Sequence, residues 1–267
     1  MREIELGDWL SADNVWTRRL LGTEPFQKVR DRAQVEREYD TDVYGRILEA
    51  YRGDPEALRR GSRRERVDPV TLSLGDRIYV AERRELVTVM RDTIRTALAA
   101  HAPEGRICEL GAGYGTNFFY LEGELYGGEF SANARTLASL LGHEVHRFDF
   151  HDPASYAFIR PATTVLTCHA LEQVPDARGV IAALERQRER ILRVVHVEPL
   201  YRPSRHNLLG LLRNRYAELN DYNRNLLAVV ESHPEIEILK LETDVLGNNP
   251  LNPSSVLVWQ FRRSGGA

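Results

Sequence analysis

A chain of 267 residues has room for one large domain, or for one domain with an appended lobe, and its 42% apolar content excludes general disorder. A formal net charge of −3 gives no global attraction to nucleic acid or to an anionic membrane. The two cysteines, Cys108 and Cys168, lie in apolar strand-like stretches and read as core residues of a reducing compartment, not as a disulfide framework. No apolar h-region opens the chain and no run approaches a membrane span, so a cytoplasmic protein is expected.

Residues 1–104 carry no convincing strand series and are predicted to form a helical lobe or lid on the substrate side, able to cover the cofactor. Pro25 to Tyr51 is rich in helix formers, with Phe26, Val29, Ala33, Tyr44, Ile47 and Leu48 supplying partial apolar faces. Gly53-Asp54-Pro55 punctuates it as a turn. The basic run at 59–66 reads as a solvated loop, or as a clamp for an acidic substrate. From Ala81 to Ala100, Leu86, Val89, Met90, Ile94 and Leu98 recur at helical spacing, and Pro103 and Gly105 stop that helix.

From residue 105 onward strands and helices alternate. Strands are predicted at 106–110, 125–130, 144–150, 163–169, 191–198, 236–243 and 255–262, and helices at 116–123, 131–141, 153–159, 176–190 and 207–232. The fold class is therefore α/β: a seven-stranded, mostly parallel Rossmann-like sheet with helices on both faces. Residues 247–253 leave no room for a helix, so the last strand should return antiparallel to its neighbours.

Ligands of such sheets bind outside the carboxyl ends of the strands. The first strand ends in Glu109-Leu110-Gly111-Ala112-Gly113-Tyr114-Gly115, with Thr116 as a candidate N-cap for the helix beyond. The second ends in Glu129-Phe130, a carboxylate able to accept from both ribose hydroxyls. The third ends in Asp149-Phe150, an acid and a ring suited to adenine. The fourth ends in His169-Ala170-Leu171-Glu172-Gln173-Val174, and the fifth in His196-Val197-Glu198. A dinucleotide fingerprint would need glycine at 116 or 118, where Thr116 and Phe118 stand.

Taken in this order, these strand ends resemble those of the class I S-adenosylmethionine-dependent methyltransferases, over about residues 105–262. The resemblance implies S-adenosyl-L-methionine as cofactor and S-adenosyl-L-homocysteine as product. It implies that Glu109, Gly111, Ala112, Gly113, Gly115 and Asn117 hold the methionine part, Glu129 and Phe130 the ribose side, and Asp149 and Phe150 the adenine. His169 would contact the cofactor, serve as base, or both, with His206 and Glu172 as further catalytic candidates. The segment 199–233 would line the acceptor pocket through Tyr201, Tyr216 and Tyr222, together with Glu198. His169, Glu172, His196 and Glu198 suit a divalent metal by residue type, but strand-end polar residues commonly just line a pocket, and no metal is expected. The expected activity is methyl transfer to a small molecule, with a specialised metabolite as the expected acceptor and neither nucleic acid nor membrane as partner. A peptide, protein or RNA acceptor, a non-catalytic cofactor-binding protein, and a homodimer are the alternatives left open.

Overall fold

The computed structural model describes residues 1–12, 14–62, 68–102 and 105–262. Pro103 and residues 63–66 of the basic run at 59–66 lie outside the described residues. Ten strands form one sheet: β1 (Arg2–Ile4), β2 (Pro69–Leu74), β3 (Arg77–Glu82), β4 (Arg106–Leu110), β5 (Glu124–Glu129), β6 (Val145–Arg147), β7 (Thr163–Cys168), β8 (Ile191–Glu198), β9 (Ile236–Gly247) and β10 (Ser254–Phe261). The seven strands from β4 onward take the order β6-β5-β4-β7-β8-β10-β9. Pairings from β6 to β8 are parallel, and β10 runs antiparallel to both β8 and β9, as the short linker required.

The front section is not purely helical. Its strands β1, β3 and β2 extend the sheet beyond β9, with Ser73 opposite Gly247 and Leu74 opposite Leu246. β2 and β3 form a hairpin about Gly75-Asp76, where Gly75 has φ +57°. A two-residue turn of this type between β-prone runs is a hairpin signal that charge-rich surroundings obscured.

Local departures have local causes. The helix expected at 116–123 is a single 3-10 turn, Thr116–Phe119, preceded by Gly115 at φ +80°, so Gly115 and not Thr116 stands at its cap. Segment 153–158 is likewise a 3-10 turn. The helix expected at 207–232 is two, Leu208–Leu219 and Leu226–Ser232, separated where Asp221 takes φ +52°. Asn207 caps the first by accepting the Gly210 N–H at 2.7 Å.

The largest apolar cluster lies on one sheet face, where Tyr126, Phe148, Tyr156 and Trp259 pack with the helix Arg178–Glu185. On the other face Ile94, Ala97 and Leu98 of the helix Arg83–His101 cover Val195, Val197, Val256 and Val258. Each fully buried side chain of this size contributes about 1.5–3 kcal/mol, and these contacts fix the strand ends that build the site. Among the described residues no helix is long and apolar enough to cross a membrane.

Candidate functional site

The sheet order reverses between β4 and β7, and the turn after β4 stands at that switch point. Gly111 and Gly113 have φ +75° and +56°, a region closed to most side chains. A Cβ on Gly111 would lie 2.3 Å from that of Ala170, and one on Gly113 would lie 2.6 Å from the Tyr44 hydroxyl. Space at Gly115 is taken by His143 and Phe118, so this third glycine serves packing beneath the turn.

Two buried carboxylates face the turn. Glu129 accepts the Gly113 N–H at 2.9 Å on one oxygen and the Ser131 N–H at 2.8 Å on the other. Burial pushes its proton affinity up, against these N–H donors. Glu109 accepts from the Asn117 amide at 2.7 Å through Oε1, while its buried Oε2 has no hydrogen-bond partner among the described residues. Burial pushes Glu109 up to about 8, with the Glu129 and Glu198 charges adding to it and the Asn117 bond opposing.

The cleft beside the turn holds about 780 Å³ of free space, the solvent at its open mouth included. Gly111, Glu129, Phe130, Asp149, Phe150 and His169 line it. Ala112 and Asn117 stand behind the turn, Asn117 acting through Glu109. Asp149 accepts the His151 N–H at 2.9 Å and pairs with Arg32 at 2.8 Å.

The sequence put a lid in the front section without naming the residues that form it. Arg30, Arg32, Val35, Tyr39 and Tyr44 close the cleft from the front section. Within this segment, Arg37–Gly45 is a π-helix, a geometry frequent at functional sites. Asp40 clamps it down, accepting from the Ser131 hydroxyl at 2.5 Å and the Asn133 N–H at 3.0 Å. Burial, then the Glu172 charge for Tyr39 and the Glu129 charge for Tyr44, push both phenols up, so they remain O–H donors.

His169 takes φ +50°, unusual for a residue with a Cβ, and is held at both ring nitrogens. Nδ1 lies 3.2 Å from Glu172 Oε2, and Nε2 lies 2.6 Å from the Ser254 hydroxyl. A carboxylate only accepts, so Nδ1 carries a proton and Nε2 is the basic nitrogen. Burial pulls the ring's pKa down, but the charge and hydrogen bond of Glu172, with the charge of Glu198, leave it raised. Glu172 is fixed by Gln173 at 2.9 Å and Asn252 at 3.0 Å.

No protein-family model and no curated relative matches the chain. Solved structures are similar in fold: a protein designated sarcosine dimethylglycine methyltransferase from Galdieria sulphuraria has TM-score 0.50 at 12% identity, over 68% of this chain and 89% of that one. The chain has the class I methyltransferase fold. Magnesium protoporphyrin IX methyltransferase from Synechocystis PCC 6803, solved with bound SAH, is similar at 12% identity and TM-score 0.47, over 68% of this chain and 87% of that one. OxaC is similar at 9% identity and TM-score 0.42 over 60% of this chain, which spans only 43% of OxaC.

Within this methyltransferase fold several expected residues stand elsewhere. Glu198 is fully buried and does not line the cleft: its carboxylate accepts the N–H groups of Ala170, Leu171 and Glu172 at 3.0, 3.0 and 3.2 Å, fixing the loop that carries His169. His206 is exposed outside the cleft, its Nδ1 3.3 Å from the Ser204 carbonyl, so it is not placed as a base. The Tyr201 hydroxyl donates to Glu218 at 3.0 Å, away from the cleft. Tyr216 and Tyr222 are buried behind the cleft wall, Tyr216 packed on Trp16 and Tyr222 beneath the Arg30 guanidinium. His196 is fully buried with Nδ1 2.8 Å from the Thr167 hydroxyl. Among the described residues no three His, Cys, Asp or Glu side chains are grouped to hold a metal ion.

Proposed function

We propose that the chain transfers a methyl group from S-adenosylmethionine to a small-molecule acceptor and releases S-adenosylhomocysteine. The pair of buried carboxylates at the glycine turn carries this reading. Glu129 keeps lone pairs for two ribose hydroxyls while tied to the Gly113 N–H. Glu109 Oε2, lacking a donor among the described residues, suits an ammonium such as that of the methionine part. Phe130, Asp149 and Phe150 fit an adenine at the far end of the cleft.

The sulfonium donor supplies an already activated methyl group. The chain's own task is then to bind both reactants, align them and exclude water, and such orientation supplies about 7–11 kcal/mol of a barrier. The turn and Glu129 fix the donor side, and the roof 30–44 shields the reacting space. For an acceptor hydroxyl, His169 takes the proton at Nε2 once the acceptor displaces the Ser254 hydroxyl from it, with Glu172 stabilising the imidazolium through Nδ1, a contribution of typically about 10²–10⁴-fold. An enclosed cleft favours a small acceptor over a folded polymer. The front section acts as cover, and two cysteines left free fit a cytoplasmic setting.

Methyl-labelled S-adenosylmethionine incubated with metabolite and peptide pools tests the proposal. Label is expected in a small product, and His169→Ala should lower turnover more than donor affinity. Donor binding without transfer to either pool would instead identify a regulatory protein.

A further inference from the structure

Arg30 lines the cleft although its side chain is only 1% exposed. Three contacts fix its guanidinium. Nε donates to the Asn220 carbonyl at 3.0 Å, Nη1 donates to Glu38 at 3.2 Å, and the Tyr222 ring lies 4.9 Å from the guanidinium carbon. Its backbone N–H is also tied, to Asp221 at 2.9 Å. The remaining nitrogen, Nη2, carries no hydrogen bond to any described residue, yet it is not among the side-chain atoms that are both sealed from solvent and without a partner. Arg30 lines the cleft, and Nη2 is the guanidinium nitrogen left without a described partner to offer a ligand there.

A guanidinium offers its N–H groups in a fixed plane and cannot lose its charge, so an unused edge selects an oxygen acceptor. The charges around it are already matched: Glu38 also binds Lys28 at 2.8 Å, and Asp221 stands at the Arg30 backbone. Glu172 is committed to His169, Gln173 and Asn252. No described carboxylate is left to occupy Nη2. The segment that holds Arg30 through Asn220 and Asp221 also donates the Asn223 N–H to the Glu172 carbonyl at 2.9 Å, beside His169, whereas Asp149 is paired with Arg32.

We propose that Arg30 is a specificity-determining residue that grips an anionic oxygen group, carboxylate or phosphate, on the methyl acceptor. This rests on the methyl-transfer reading above. A charge-assisted pair of this kind also holds the acceptor in one orientation before His169.

The test uses the full chain and labelled S-adenosylmethionine with a metabolite extract split on an anion-exchange resin. Label transfer is expected with the retained fraction. Phosphatase treatment of that fraction separates the two sources: lost transfer marks a phosphate, retained transfer a carboxylate. Arg30→Met should raise the KM for that fraction about tenfold or more, the scale of a lost hydrogen bond to a charged group, and Arg30→Lys should restore part of it. Affinity for S-adenosylhomocysteine should stay within about twofold in both variants, which also reports an intact fold. Transfer confined to the unretained fraction, or an Arg30→Met protein with unchanged KM, would overturn the assignment. A loss of S-adenosylhomocysteine affinity in Arg30→Met would overturn it too, by moving Arg30 to the donor site. Failure of the unaltered chain to bind S-adenosylhomocysteine would instead refute the methyl-transfer reading itself.

Discussion

Glu109 gives a quantitative prediction about donor binding. Its pKa, pushed up to about 8 by burial, keeps the carboxyl mostly protonated at neutral pH. At pH 7 a group with this pKa is about 90% protonated, and ionising it takes about 1.4 kcal/mol. If a donor ammonium settles on Oε2, the carboxyl must ionise, and about 0.9 proton should leave per donor bound. Calorimetric titration with S-adenosylhomocysteine at pH 7, in buffers of different ionisation enthalpy, reads that number as a slope. Glu109→Gln should abolish the slope and weaken binding by about tenfold or more, since its amide offers the ammonium no charge. The same shift has a stability signature. The folded chain holds this proton more tightly than the unfolded one, so the contribution is complete below the ordinary value of 4.5 and lost as pH rises to about 8. Glu109→Gln should therefore gain thermal stability relative to the unaltered chain at high pH, by an amount that grows between those limits. Binding with no proton release, together with unchanged affinity in Glu109→Gln, would refute this role.

Three further outcomes are expected. Gly113→Val should weaken S-adenosylhomocysteine binding and lower the melting temperature, because it places a β-branched residue at φ +56° with its Cβ 2.6 Å from the Tyr44 hydroxyl. In a histidine NMR titration His169 should stay charged to higher pH than free histidine, and Glu172→Gln should lower that pKa. Ser254→Ala should shift the Nε2 resonance selectively, and a Nε2 signal insensitive to it would remove Ser254 from the site. Arg213 is 1% exposed and ties the Gly75 carbonyl, Asp76, Asp244 and the Pro250 carbonyl together, so Arg213→Met should cost about 3–5 kcal/mol in denaturant unfolding.

Residues at strand ends were legible in the sequence because an acid closing an apolar run is a local pattern. Glu109, Glu129 and Asp149 needed only the order of elements to find their places. A lid from the front section was legible but its residues were not, since Arg30, Tyr39 and Tyr44 reach the cleft from a segment more than sixty residues upstream of the glycine turn, folded back by the Asp40 clamp. Ser254 and Asn252 escaped for the same reason: nothing local marks the first residue of β10, or a residue of the linker before it, as the partner of His169 or Glu172. Glu198 misled because alternation fixes which face a strand residue takes but not whether a loop's N–H groups already occupy its carboxylate. The β2–β3 hairpin shows the converse, a signal present at Gly75-Asp76 and outweighed by the charge around it.

A structure of the chain with S-adenosylhomocysteine tests the central claim most directly. Both ribose hydroxyls should lie within hydrogen-bond distance of Glu129, the adenine against Phe150 and Asp149, and the amino group on Glu109. A ligand that fails to bind at millimolar concentration, or that seats its ribose away from Glu129, would contradict the assignment of this cleft as a methyl-donor site.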